Sequence, residues 1–141
     1  MERIIALYGK GKIGKSTTLN ILIDLLRIVA DSYQINKDYE GYATFDLCDK
    51  KISICTPGDN EEIIENNITY FNKQKCDIAI SATRTKGEGK KLFDSFAERK
   101  KTEFLRIHKE SNFYSNAKTA AKLFQLVTDY LDIDVEKVHE E

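Results

Sequence analysis

The stretch GKGKIGKST, residues 9–17, lies between an apolar run and an amphipathic one and constrains this chain more than any other feature. Gly9, Gly14, Lys15 and Ser16 fill every fixed position of the spacing G-x-x-x-x-G-K-[ST]. Residues 3–8, RIIALY, form a short apolar run that ends at Gly9 and predicts a buried strand. Residues 15–31 carry Leu19, Leu22, Ile23, Leu26 and Val29 at helical spacing. A strand, a glycine-rich loop and a helix in that order aim the loop amides and the positive end of the helix dipole at one place. Glycines at 9, 11 and 14 allow close approaches that a Cβ would block. The expected occupant is a phosphate chain. Lys15 is placed to reach its β and γ groups, and Ser16 to put a hydroxyl on Mg²⁺.

The rest of the chain continues the alternation. Residues 32–41, SYQINKDYEG, are polar and read as a loop. Residues 42–47 and 51–56 read as two strands separated by three residues, a gap that suits an antiparallel hairpin and is too short for a parallel crossover. PGDN at 57–60 has turn chemistry, and Asp59 or Asn60 is positioned to cap a helix running to about residue 72, with Glu61 and Glu62 in its first turn. CDIAISAT at 76–83 predicts a buried strand, 84–89 a loop, 90–100 a helix, 103–108 a strand and 115–131 an amphipathic helix. The expectation is one domain over 1–141. It is a three-layer α/β sandwich around a mainly parallel sheet, with the hairpin placing an antiparallel strand at an edge.

Charge excludes some functions. The chain has 141 residues, with 22 basic against 23 acidic side chains and a net charge of −1, which argues against a dedicated nucleic-acid binder. No apolar run is long enough to span a membrane, and MERIIALYG is too short and too charged for a secretory signal. Three cysteines, an odd number with no CxxC pair, fit reduced thiols in a cytoplasm.

On these residues the chain resembles the P-loop NTPase superfamily, in both the motif and the element order. GKGKIGKSTT is similar to the deviant Walker A sequence K-G-G-x-G-K-[ST]-T of partition and cell-division ATPases. That resemblance implies phosphate binding by residues 9–17: Gly9, Lys10, Gly11, Lys12, Ile13, Gly14, Lys15, Ser16 and Thr17. It also implies that Lys10 matches the signature lysine, which in that group contacts phosphate, often across a homodimer. The chain departs at Lys12, where the group has glycine, and a side chain there works against a close dimer sandwich. The combination of GKGKIGKSTT, TPGDN and ATRTKG also resembles small bacterial P-loop ATP-binding proteins.

Phosphoryl-transfer proteins of this kind hold Mg²⁺ with a second acidic group at a neighbouring strand end. Here residues 77–80 are followed by Ser81 rather than an acid. Residues 55–58, CTPG, resemble the D-T-P-G switch element of Ras-like GTPases with Cys55 in place of Asp, and a thiol is a poor partner for a hard cation. Asp59 is the candidate carboxylate. Asp46 reads as an outward-facing strand residue, and Asp77 as lying at the far end of its strand. Residues 85–88, TKGE, loosely echo the guanine-reading T-K-x-D with Glu88 for Asp. Arg84, after the strand ending at Thr83, is a candidate second phosphate contact and, with Lys15, a candidate catalytic group. His108 and His139 have no partner arranged for nucleophilic catalysis. The leading expectation is Mg²⁺-dependent binding of a nucleoside triphosphate, ATP before GTP, with slow hydrolysis coupled to a protein partner or self-association. The alternatives are a small-molecule or nucleotide kinase, a non-hydrolysing interaction module, and a Ras-like GTPase relative.

Overall fold

In a computed structural model, which describes residues 1–9, 13–36, 41–109 and 115–131, the chain forms an α/β fold with a six-stranded mixed sheet and four helices. In chain order the elements are β1 (Arg3–Tyr8), α1 (Lys15–Val29), β2 (Ser32–Ile35), β3 (Tyr42–Leu47), β4 (Lys50–Cys55), α2 (Glu61–Gln74), β5 (Ile78–Thr83), α3 (Glu88–Lys100), β6 (Glu103–His108) and α4 (Ser115–Tyr130). The sheet order is β2-β3-β4-β5-β1-β6. Strands β4, β5, β1 and β6 pair in parallel, while β3 is antiparallel to both β2 and β4. The parallel strands therefore end on one side of the sheet, where residues 9, 56 and 83 leave it.

The element boundaries follow the apolar patterns closely, with one correction. Residues 32–35, expected as loop, form β2, and this strand rather than the hairpin supplies the outer edge. All four of its residues are exposed, so the run carries no buried periodicity to mark it as a strand. Pairing with β3, from Ser32 opposite Asp46 to Ile35 opposite Ala43, is what extends it. The hairpin turns through Cys48 and Asp49, both at positive φ.

Side chains alternate across the central strands and build a core on each face. Ile5, Leu7, Ile52, Ile54, Ile78 and Ile80 point toward α1 and α4, where Leu19, Leu22, Leu26, Leu123 and Val127 meet them. Ile4, Ala6, Tyr8, Cys55 and Ala79 point toward α2 and α3 and meet Ile64, Phe71, Phe93 and Phe96. Among the described residues no helix is long and apolar enough to cross a membrane.

Candidate functional site at the carboxyl ends of the parallel strands

The loop after β1 is tied to β5 before it turns. Gly9 N–H donates to the Thr83 carbonyl at 3.2 Å, which carries the β1–β5 ladder one residue past the strands. Gly14 has φ of +92°, a left-handed conformation that glycine adopts without strain. A Cβ there would also lie 2.5 Å from Asn116 Oδ1, so the Asn116 amide on α4 would have to move to admit one. Thr18 Oγ1 donates to the same Asn116 Oδ1 at 3.4 Å.

Lys15, the first residue of α1, reaches back to the ends of β1 and β5. Its Nζ donates to the carbonyls of Gly9 at 2.6 Å and Thr83 at 3.1 Å, and the residue is only 6% exposed. Burial lowers its pKa below the usual lysine value; the negative charge of Asp59 opposes that shift, and the positive charge of Arg84 adds to it. Ser16 Oγ donates to the Thr56 carbonyl at 3.2 Å. Ile13 is half-buried and Thr17 exposed. Lys10, Gly11 and Lys12 lie outside the described residues.

β4 is not a neighbour of β1, because β5 lies between them. Residues 56–59 nevertheless reach the start of α1, where Ser16 donates to Thr56, by crossing the end of β5. A Cβ on Gly58 would fall 2.1 Å from the Ala82 carbonyl oxygen, a backbone atom with no freedom to give way, so the crossing requires glycine. Asn67 holds the segment from below. It is fully buried; its Nδ2 donates to the Pro57 carbonyl at 2.8 Å and to Ser81 Oγ at 3.0 Å, and its Oδ1 accepts from the Tyr42 hydroxyl. Beside it Tyr70 shares a hydrogen bond with Thr44, and Thr44 with Ser53. Nothing in the sequence motifs points to Asn67. The signal was there: it occupies an apolar position of α2, three residues after Ile64 and three before Tyr70.

The crossing brings Asp59 within 3.8 Å of Arg84, with both side chains at least half exposed. Such a pair contributes at most about 1 kcal/mol to stability, but it sets one charge of each sign beside Lys15. Cys55 is fully buried, its thiol pushed well above the ordinary range chiefly by burial, so it stays a neutral SH and offers no oxygen to a cation. Ser81, which follows residues 77–80 in place of an acid, is fully buried and donates to the Ala82 carbonyl at 2.9 Å. Asp77 lies at the opposite end of the sheet, its carbonyl accepting from Glu2 and Arg3 N–H. Asp46 is exposed and accepts from Ser32 Oγ.

A cavity of about 560 Å³ opens between the starts of α2 and α3, lined by residues 58–61 and 84–90. Asp59 and Arg84 line it, whereas Gly9, Lys15 and Ser16 do not. The start of α2 is capped by Asn60, whose Oδ1 accepts from Ile63 N–H at 2.9 Å. The TKGE residues sit on the α3 side of this cavity, with Gly87 at a φ of +106°. Among the described residues there is no group of three or more His, Cys, Asp or Glu arranged to hold a metal. No protein-family model, curated protein or solved structure matches this chain.

Proposed function

We propose that the chain binds a Mg²⁺-nucleoside triphosphate at the β1–α1 loop, as a P-loop NTPase-like domain. The reading rests on one observation above all. A buried lysine at the first position of α1 holds its ammonium on two uncharged carbonyls, beside a loop whose spacing fits a phosphate cradle. Two neutral acceptors compensate a buried positive charge poorly, whereas a phosphate chain would match it with charge-assisted hydrogen bonds.

The donor set fits the cation. Ser16 Oγ and the Asp59 carboxylate are the hard oxygens that Mg²⁺ prefers; Asp59 belongs to the segment that Asn67 and Gly58 fix, and Ser16, on α1, is tied to that segment through the Thr56 carbonyl. Mg²⁺ there would supply charge neutralisation on the β and γ oxygens. Lys15 would orient the γ group and stabilise charge developing on it. Arg84, paired to Asp59 and half exposed, is free to swing its guanidinium toward a phosphate or a partner's substrate. ATP is preferred to GTP because the only guanine-like signal, TKGE, has Glu88 in place of Asp. The proposed activity is slow hydrolysis coupled to a protein partner or to self-association, in a cytoplasmic setting.

The cavity beside Asp59 and Arg84 favours a second reading, transfer of the γ group to an acceptor as in a small-molecule or nucleotide kinase. Calorimetric titration with ATP, GTP and their diphosphates, with and without Mg²⁺, tests the primary reading. Saturable binding of one triphosphate that weakens when Mg²⁺ is removed is the expected result; no heat with any nucleotide contradicts it. Phosphate release in that complex separates the readings. Slow release with ATP alone fits an NTPase, consumption only on adding an acceptor fits a kinase, and none under any condition fits a binding module.

A further inference from the structure

A second cavity, of about 240 Å³, is lined by Tyr8, Thr85, Lys90, Arg106 and His108. Its chemistry follows from the sheet. Arg106 and His108 are two residues apart on β6 and so share a face with Phe104, which packs against the α2/α3 core. Tyr8, opposite His108 in the β1–β6 register, belongs to the same core. Lys90 reaches the cavity from the first turn of α3.

The cations are fixed in place. Lys90 Nζ donates to Asp94 Oδ2 at 2.6 Å. Arg106 Nε donates to the Tyr8 hydroxyl at 2.7 Å, its NH2 lies 3.4 Å from Asp94 Oδ1, and its guanidinium stacks 4.3 Å from the Phe104 ring centre. The Tyr8 hydroxyl in turn donates to Asp94 Oδ1 at 3.1 Å. One carboxylate therefore serves two cations. That carboxylate is the more buried group, 20% exposed against 50% for Arg106, so the surplus positive charge faces the cavity. His108 adds ring nitrogens to the same wall. Thr85 and Lys90 line both this cavity and the larger one, so the two adjoin.

We propose that the smaller cavity binds the phosphate group of a small phosphomonoester, with the rest of the molecule passing Thr85 into the larger cavity. A planar guanidinium, an ammonium and an imidazole together suit a tetrahedral dianion with several acceptor oxygens. A ligand lying this way brings its far end to Asp59 and Arg84. The site stands on its own residues and does not require that Lys15 hold a triphosphate.

The test is an amide and histidine-ring NMR titration of the full chain with glycerol 3-phosphate, with glutarate as the carboxylate control. It is run on the wild type, Lys15→Ala and Arg106→Gln, with Lys90→Gln as the second variant should Arg106→Gln fail to fold. Glycerol 3-phosphate is expected to shift Thr85, Lys90, Arg106 and His108 saturably in the wild type and in Lys15→Ala alike. Loss of the Arg106 or Lys90 charge is expected to weaken that binding by about tenfold and to leave ATP affinity unchanged. The proposal is overturned by shifts confined to residues 9–17, by no saturable shift, or by glutarate binding as tightly. An equal loss of ATP affinity in Arg106→Gln also overturns it, since the cavity would then belong to the nucleotide's own site.

Discussion

The two faces of the sheet are built from different materials. The face under α1 and α4 is nearly all aliphatic, with Ile5, Leu7, Leu22, Ile54, Ile80 and Val127 at its centre. The face under α2 and α3 is aromatic and carries a buried polar network: Tyr42, Asn67 and Ser81, with Thr44, Ser53 and Tyr70 beside them. Aliphatic packing is non-directional and tolerant, whereas a buried hydrogen-bond network fixes position and is expensive to leave half made. The difference matches what each face supports. The first anchors the helix that starts at Lys15. The second holds the Thr56–Asp59 crossing, whose exact path decides whether Asp59 and Arg84 stand beside Lys15.

Substitutions on the two faces should therefore separate stability from binding. Leu22→Ala, in the aliphatic face, is expected to destabilise the fold by about 3 kcal/mol, read by urea unfolding, with nucleotide affinity unchanged at temperatures where the variant is folded. An equal loss of affinity would mean that the faces are not functionally distinct. Asn67→Leu keeps the volume but takes one hydrogen-bond partner each from Tyr42, the Pro57 carbonyl and Ser81 Oγ. It should cost about 2 kcal/mol and, unlike Leu22→Ala, weaken Mg²⁺-ATP binding as well. Asn60→Ala removes the α2 cap and should cost about 1 kcal/mol in the same unfolding assay.

The smallest effect concerns Lys15 itself. Burial lowers its folded-state pKa, so the cost of its charge is fully present below that pKa and fades as pH rises through it toward the ordinary lysine value. Lys15→Met should be as stable as the wild type at neutral pH, or more so by up to about 1 kcal/mol. The wild type should then gain on it as pH climbs into the alkaline range. Thermal melts of both proteins across that range check the sign, and a variant that is less stable at neutral pH and gains with pH would contradict it.

The same contrast explains what could be read from the sequence. The parallel strands are buried on both faces, and runs such as IIALY and IAIS advertise that directly. α1 and α4 have clear apolar stripes, and the β1–loop–α1 order was fixed by one motif. β2 was missed because an exposed edge strand leaves no pattern; it exists through its partner β3. Gly9, Lys15, Ser16, Asp59 and Arg84 were legible because local spacing and strand ends place them. Asn116 and the Tyr8–Asp94–Arg106 cluster were not, since the pairs Thr18–Asn116, Tyr8–Asp94 and Tyr8–Arg106 join residues 86 or more positions apart and no single stretch carries that relation; Asn67 shows in the sequence only as a polar residue at an apolar position of α2, with nothing local to name its partners. The path of residues 56–59 over β5 depends on the sheet order, which no local signal contains.

The most direct test of the account is the affinity of Mg²⁺-ATP for the wild type and for Lys15→Ala, measured side by side by calorimetry with circular dichroism confirming that both are folded. The account predicts saturable binding to the wild type and a loss of roughly 100-fold, about 2.7 kcal/mol, in the variant. Equal affinity in the two folded proteins would contradict it, because the buried ammonium at the head of α1 would then have no part in holding phosphate.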